Sequence, residues 1–368
     1  MNAMKVAFRA DASLQIGTGH VMRCLTLADA LAAHGTECRF ICREHTGNLI
    51  ESIRGKGFAV HALPAGKPAA TGEAGGAPLL THAVWLGASQ LQDAAECATL
   101  LAVWQPDWLI VDHYALDAQW EKALNPHYRK LMVIDDLADR EHRCDLLLDQ
   151  TFGRNATAYA ACVPVDCRLL CGSQYALLRP EFSALRPYSL RRRANPQLRK
   201  LLITMGGVDK DNATGTVLSA LRSCELPAGC RITVVMGASS PWLAEVQHKA
   251  EQLPWATDVR VDVSDMAQLM ADSDLAIGAA GATSWERCCL GLPTVMVVLA
   301  ENQRAVAQGL EQAGAVQVLH GCGQIHDRLP RLLSDLVASP APRVAMSRIA
   351  AGIADGGGVA TVIRHLES

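Results

Sequence analysis

His20 closes the segment Gly17-Thr18-Gly19-His20. Imidazole is the side chain whose ordinary pKa lies near neutrality, so a histidine behind a glycine loop can act as a general base. Asp11, in Arg9-Ala10-Asp11, offers a carboxylate that could position a reacting water. Asp112-His113-Tyr114 puts three polar groups in a row behind the apolar Leu109-Ile110-Val111, which suggests a pocket wall. Asp135 and Asp136, followed by Asp139, Arg140 and His142, repeat that pattern behind Met132-Val133-Ile134. In the second half, Gly278-Ala279-Ala280-Gly281-Ala282-Thr283 is a run of small residues ahead of Glu286. Small residues let backbone N–H groups approach a diphosphate, and a carboxylate can accept from ribose hydroxyls. Gly206-Gly207 and Asn302-Gln303 stand at further strand ends suited to substrate contact.

Plainer readings compete with each of these. Gly-Thr-Gly can be only a turn, with His20 a helix-start residue in water. Asp112 and Asp135 can cap helices. Glu286 can complement a helix dipole. Trp285 reads as core rather than a base-stacking platform. Asp135, Asp136 and His142 lack the tight spacing of a metal site.

The elements that must position these groups are legible from periodicity. Residues 5–10 form an apolar run, a buried strand. Val21, Cys24, Leu25, Ala28, Leu31 and Ala32 recur at helical spacing from about Gly19. His20 is thus expected in the first turn of a helix, at the carboxyl end of the first strand, where ligands bind in open parallel sheets. Free N–H groups there favour an anion and disfavour a protonated imidazole. The loop lacks the third glycine of the dinucleotide fingerprint, and no acidic residue ends the strand at 37–43. Both argue against a nicotinamide site.

Further strands are expected at 38–42, 59–63, 108–112, 131–134 and 146–148, with helices between most of them. Alternation of this kind implies a doubly wound parallel sheet. Residues 65–78, rich in Gly, Ala and Pro, read as a surface insertion. Periodicity fades over 171–200, which carries Pro180, Pro187, Pro196 and the run Arg191-Arg192-Arg193. That stretch reads as a linker, with the arginines on a solvated face. The second half resumes with strands at 201–205, 232–236, 259–261, 275–277 and 294–299. Helices are expected at 213–221, 242–253, 266–270, 283–290 and 305–313, the first capped by Asn212. The expected organisation is a first Rossmann-like domain over 1–185, a linker at 186–198, a second over 199–345 and a helical tail over 346–368. The carboxyl edges of the two sheets are expected to face each other across a cleft.

Length and composition set bounds. The chain has 368 residues, a net charge of −3, 50% hydrophobic and 5% aromatic residues. Two domains with aliphatic cores follow. The charge balance gives no reason to expect nucleic acid or an anionic membrane as partner. The amino terminus has charge too early for a secretion signal, and residues 292–300, among the longest apolar runs, cannot span a bilayer. The 13 cysteines are scattered without a CxxC pair, and Cys38 and Cys42 have no matching cluster. This reads as a reduced, cytoplasmic protein without structural zinc.

Taken together and in order, RADASLQIGTGHVMRCLTLADAL, VDHYALD, IDDLADREHRCDLLLDQ, LLCGSQYALLRPEF, TMGGVDKDN, GAAGATSWERCCLGLPTV and ENQ resemble the UDP-2,4-diacetamido-2,4,6-trideoxy-β-L-altropyranose hydrolases of pseudaminic acid biosynthesis. The resemblance covers roughly residues 4–315. It implies two Rossmann-like domains of the glycosyltransferase-B kind, with UDP held mainly by the second. It implies hydrolysis of the anomeric C–O bond with inversion, without cofactor or required metal, in a route to flagellin or surface glycans. His20 takes the catalytic position. Arg9, Asp11, Gly17, Gly19, His113 and Tyr114 in the first half are candidate substrate contacts. Gly206, Gly207, Gly281, Thr283, Glu286, Asn302 and Gln303 are the candidates in the second. A UDP-sugar glycosyltransferase and a non-catalytic nucleotide-sugar-binding protein remain the competing readings.

Overall fold

Runs such as Val6-Ala7-Phe8 and Leu109-Ile110-Val111 lack polar alternation, so both faces of their strands must be covered. The computed structural model describes residues 3–66, 80–238 and 240–368, and it covers them with helices on both sides. In the first unit the strands are β1 (Lys5–Ala10), β2 (Glu37–Arg43), β3 (Ala59–Leu63), β4 (Trp108–Asp112), β5 (Lys130–Ile134), β6 (Leu146–Asp149) and β7 (Arg168–Cys171). They pair in parallel in the order β3-β2-β1-β4-β5-β6-β7. The order reverses between β1 and β4, the switch point at which α/β sheets open a crevice.

Helix α1 (Gly19–Ala33) buries Val21, Cys24, Leu25 and Ala28 with Phe8 and Ile110 on one face, where α2 (Ile50–Gly55) also packs. On the other face α3 (Gln90–Trp104) and α4 (Ala118–Leu124) bury Cys97, Leu101 and Trp120 against Ala7, Leu109 and Val111. Ser89 and Asp117 cap these two helices, accepting from the backbone N–H groups of Gln92 and Gln119.

The second unit, Leu178–Gly358, holds β8 (Lys200–Thr204), β9 (Arg231–Met236), β10 (Ala256–Val261), β11 (Leu275–Ala279), β12 (Thr294–Val297) and β13 (Val316–Leu319). Their order is β10-β9-β8-β11-β12-β13, again parallel, with the switch between β8 and β11. Its helices are α5 (Pro180–Arg193), α6 (Ala213–Leu221), α7 (Leu243–Glu251), α8 (Met266–Asp272), α9 (Thr283–Cys289), α10 (Arg304–Gln312), α11 (Ile325–Ala338) and α12 (Pro340–Ala351). Asn212 caps α6 by accepting from Gly215 N–H.

Several expectations need correction. The stretch read as a linker over 186–198 is largely helix α5, with Pro187 inside it. Arg193 lies on no solvated face. It is buried and donates to Leu290 O, Ser273 O and Met270 O at 2.9, 2.7 and 3.1 Å. These carbonyls lie at the carboxyl ends of α8 and α9, where cations are favoured. Arg192 pairs with Asp274 at 2.7 Å. The tail is not one element. After α12 the chain enters α13 (Gly358–Leu366), and Val359–Ser368 belongs to the first unit, together with the residues up to Leu177. Val362, Ile363 and Leu366 join that unit's core, and the Trp108 indole N–H donates to Leu366 O at 2.9 Å. Strands β7 and β13, at the sheet margins, lie outside the strands expected from the sequence. The insertion expected at 65–78 lies, from residue 67 on, outside the described residues.

Candidate active site

The register Ala10↔Asp112 sets the ends of β1 and β4 side by side, below the first turn of α1. There His20 Nδ1 lies 2.6 Å from Asp112 Oδ1. An ionised carboxylate only accepts, so Nδ1 carries a proton, and in the neutral ring Nε2 is the nitrogen with the lone pair. Arg23, one turn along α1, grips both Asp112 oxygens, with Nε at 2.5 Å and Nη2 at 2.7 Å. Its Nη1 reaches Asp136 Oδ2 at 2.5 Å. Burial by itself would raise the Asp112 pKa, but the Arg23 guanidinium and His20 outweigh it and hold the carboxyl well below its usual range. Asp112 therefore does not cap a helix; it orients His20. Nor is His20 a water-facing helix-start residue, since only 8% of it is exposed. Sequence reasoning missed the Asp112 and Arg23 partnership. The i, i+3 spacing of His20 and Arg23 on α1 was the available signal.

Tyr114 donates its hydroxyl to Asp136 Oδ2 at 3.0 Å and sets its ring edge-on to His20, centroids 4.6 Å apart. Trp85, from the short 3-10 turn Ala83–Leu86, stacks on Tyr114 at 5.9 Å and lies 6.4 Å from His20. His82 packs against both Trp85 and Tyr114. Trp85 and His82 are half-buried and complete an aromatic wall beside His20. Neither carried a sequence signal, because the turn has no periodicity.

A second cluster stands at the same strand ends. Asp11 Oδ1 accepts from Arg9 Nη1 at 2.6 Å and from Arg43 N–H at 2.7 Å. Arg9 is fully buried, and its remaining nitrogens bond Asp93 at 3.2 and 2.7 Å. With Nη1 on Asp11 and both Nε and Nη2 on Asp93, the Arg9 guanidinium is committed to carboxylates of its own unit. It anchors Asp11, whose pKa burial would raise and the Arg9 charge holds far down. His113 Nδ1 accepts from Ala115 N–H at 3.1 Å, so Nε2 carries the proton of its neutral ring. That nitrogen lies 3.3 Å from Asp11 Oδ2, yet neither atom has a hydrogen-bond partner among the described residues. Burial pushes the His113 pKa down against the pull of Asp11. With its lone pair engaged, His113 cannot serve as a base. A hydroxyl that donates to Asp11 Oδ2 and accepts from His113 Nε2–H would satisfy both atoms. Gly17, at φ +82°, turns the loop back onto Ser13, and Gly19 opens α1; a Cβ at either would meet open space.

In the second unit the ends of β8 and β11 flank the switch point. Gly206 takes φ +94°, a left-handed conformation suited to glycine. Gly207 follows, and Asp209 caps α6 by accepting from Ala213 and Thr214 N–H at 2.9 Å each. After β11, Gly281 and Thr283 are half-buried, and a Cβ on Gly281 would find no atom within 4 Å. Glu286 keeps 17% of its side chain exposed, with Arg179 Nη2 3.8 Å away. Burial pushes its pKa up to about 7, against the opposing charges of Arg179 and Arg287. Trp285 is buried in the core. Asn302 is exposed, whereas Gln303 Oε1 closes its own loop by accepting from Leu299 N–H at 2.8 Å.

The acids after β5 divide among separate partners. Asp135 takes Arg140 at 2.8 Å and the Tyr159 hydroxyl at 3.0 Å, and His142 takes Glu121 at 2.7 Å. Among the described residues no group of three His, Cys, Asp or Glu could hold a metal ion, and no helix is long and apolar enough to cross a membrane.

Residues 201–356 match the glycosyltransferase family 28 C-terminal domain. Over 312 residues the chain is 28% identical to the UDP-2,4-diacetamido-2,4,6-trideoxy-β-L-altropyranose hydrolase of Campylobacter jejuni, covering 84% of this chain and 97% of that protein. The resemblance read from the motifs is thereby borne out. Among solved structures, MurG of Acinetobacter baumannii superposes with a TM-score of 0.68 at 15% identity, over 99% of each chain. The spinosyn rhamnosyltransferase SpnG superposes with a TM-score of 0.65 at 18% identity, over 99% of this chain and 100% of that one. At such identities the likeness establishes the fold, that of the two-domain glycosyltransferases.

Proposed function

We propose that this chain, a homologue of the altropyranose hydrolase, cleaves the anomeric C–O bond of a UDP-linked 2,4-diacetamido-2,4,6-trideoxy hexose. The free sugar would serve pseudaminic acid biosynthesis, and through it flagellin or surface glycans. The observation that carries the reading is the His20–Asp112 pair at 2.6 Å, which leaves Nε2 as the basic nitrogen at the end of β1. Water gives its proton to His20 Nε2 as its oxygen bonds the anomeric carbon from the face opposite UDP. The electron pair of the breaking C–O bond leaves with the diphosphate, so the anomeric centre inverts. Asp112, ionised and held by Arg23, stabilises the imidazolium that forms. A nucleoside diphosphate departs readily and needs little proton donation, so paired glycosidase carboxylates are not required.

The second unit is assigned the nucleotide. Gly206, Gly207, Gly281 and Thr283 surround the diphosphate oxygens, Glu286 accepts from the ribose hydroxyls, and Asn302 and Gln303 line the same strand ends. The first unit is assigned the sugar. A 2,4-diacetamido-2,4,6-trideoxy pyranose linked through its anomeric oxygen keeps a single ring hydroxyl, at C3. Asp11 and His113 together suit a hydroxyl that both donates and accepts. Tyr114 and Trp85 offer an apolar wall to the acetamido and C6 methyl groups.

The test is turnover of the UDP-sugar in ¹⁸O-water without any acceptor. The expected products are unlabelled UDP and free sugar labelled at C1, first seen as the inverted anomer by NMR. The family 28 match favours one rival, a glycosyltransferase. Consumption that appears only when an acceptor alcohol is added would establish it. Binding without turnover in either condition would leave a nucleotide-sugar-binding protein.

A further inference from the structure

Arg287 lies on α9 with 1% of its surface exposed, against the small-residue loop that follows β11. Its guanidinium donates to Ala279 O at 2.7 Å, Ser284 Oγ at 3.2 Å and Thr283 Oγ1 at 3.2 Å. Its Nε has no hydrogen-bond partner among the described residues. Three other buried arginines are answered by carboxylates, Arg9 by Asp11 and Asp93, Arg23 by Asp112 and Arg43 by Asp93, whereas buried Arg193 and Arg343 donate to backbone carbonyls. Arg287 bonds no carboxylate among the described residues. Glu286, next to it in the chain, acts only through space, and Arg179 also pulls on that carboxylate.

The fold makes room for this charge. A Cβ on Gly278 would lie 2.5 Å from Arg287 Nη1 and 3.0 Å from Thr204 O, so the glycine at the end of β11 houses the guanidinium. Burial draws the Arg287 pKa down to about 10, which still leaves it protonated near neutrality. A buried cation without a counter-ion is costly, and an anion bound close by would offset that cost.

The hydroxyls add direction. A guanidinium has no lone pair, so Thr283 Oγ1 must accept from it, and the threonine's own proton turns elsewhere. Ser284 is buried, but Thr283 is half-exposed and can meet a ligand. A hydroxyl that accepts from a cation is a strengthened donor.

We propose that Arg287 is a positioning residue for the diphosphate. It does not touch the nucleotide. It supplies the positive charge beneath residues 280–283 and turns the Thr283 hydroxyl into a donor toward phosphate oxygen. This rests on the assignment of UDP to the second unit.

The test compares UDP with uridine, which lacks the phosphates, by calorimetry and saturation-transfer NMR. Arg287→Met should weaken UDP at least about tenfold, the scale of one charge-assisted hydrogen bond, while uridine stays within about twofold. Arg287→Lys should recover part of the UDP affinity, because charge returns without the fork. Thr283→Val, which leaves the guanidinium in place, should lose UDP selectively as well. Should Arg287→Met fail to fold, Thr283→Val and Arg287→Lys carry the test. UDP and uridine falling together in the folded variants, or UDP unchanged in Thr283→Val, would overturn the proposal. A wild-type chain that binds neither UDP nor uridine would instead remove the UDP assignment itself, and the proposal with it.

Discussion

Replacing Glu286 with glutamine should make the free protein harder to melt and harder to fill with UDP. Burial lifts this carboxyl from 4.5 to about 7, with Arg179 at 3.8 Å only partly opposing it. At about 1.4 kcal/mol per pKa unit, the ionised side chain costs the folded second unit up to about 3 kcal/mol. The sign follows from proton counting. Between pH 4.5 and about 7 the folded state keeps a proton that the unfolded chain has lost, so stability falls as pH rises through that window. The cost is absent below the window and complete above it. Glutamine keeps the shape without the charge. At pH 8 the variant should therefore melt higher by several degrees, at about 2–4 °C per kcal/mol for a unit of this size. Near pH 4.5 the two melting curves should coincide. UDP affinity at pH 8 should fall by about 3- to 12-fold, because the amide oxygen still accepts from the ribose hydroxyl but gives up the charge assistance, roughly half of a bond worth about 1.5–3 kcal/mol. Calorimetry at both pH values measures each arm. Equal melting temperatures at pH 8 would refute the burial cost. An unchanged UDP affinity in the more stable variant would remove Glu286 from the nucleotide site.

Other expectations follow from the first unit. His20→Asn should lower kcat by about 10²–10⁴-fold with UDP affinity unchanged, measured by single-turnover kinetics and calorimetry; near-wild-type kcat would place the base elsewhere. Asp112→Asn should lower kcat without abolishing substrate binding and destabilise the chain in denaturant unfolding by less than the about 3–5 kcal/mol of a wholly unpaired buried charge, since Arg23 loses one carboxylate and keeps Asp136. His113→Gln should raise KM while kcat moves little; a fall in kcat matching that of His20→Asn would place His113 in the chemical step and overturn its assignment to the sugar. EDTA should leave the rate unchanged, and restoration by magnesium or manganese after its loss would turn attention to Asp135 and Asp136.

Much of this protein is written in local pattern. The apolar run of β1, the glycines at 17 and 19 and the helical spacing of α1 concern residues within a few turns of each other. Together they place His20 at a strand end without reference to the rest of the chain. The small-residue loop before Glu286 is local in the same sense. What could not be read is which charge meets which. Asp112 reaches His20 across 92 residues, because β4 pairs with β1 in one register. Arg9 looked like a site residue beside Asp11. It shares a strand face with Ala7, on the side of α3, and there Asp93 claims it. Arg193 looked solvated because its partners are backbone carbonyls, which no residue type reveals. The tail was legible as helical, but not the core that receives α13. Gly278 gains its reason only once the Arg287 guanidinium occupies the missing side chain's place. Periodicity comes from covalent neighbours and survives in the sequence. Ion pairing across a sheet depends on register, burial and the absence of water, and these exist only once the chain has closed on itself.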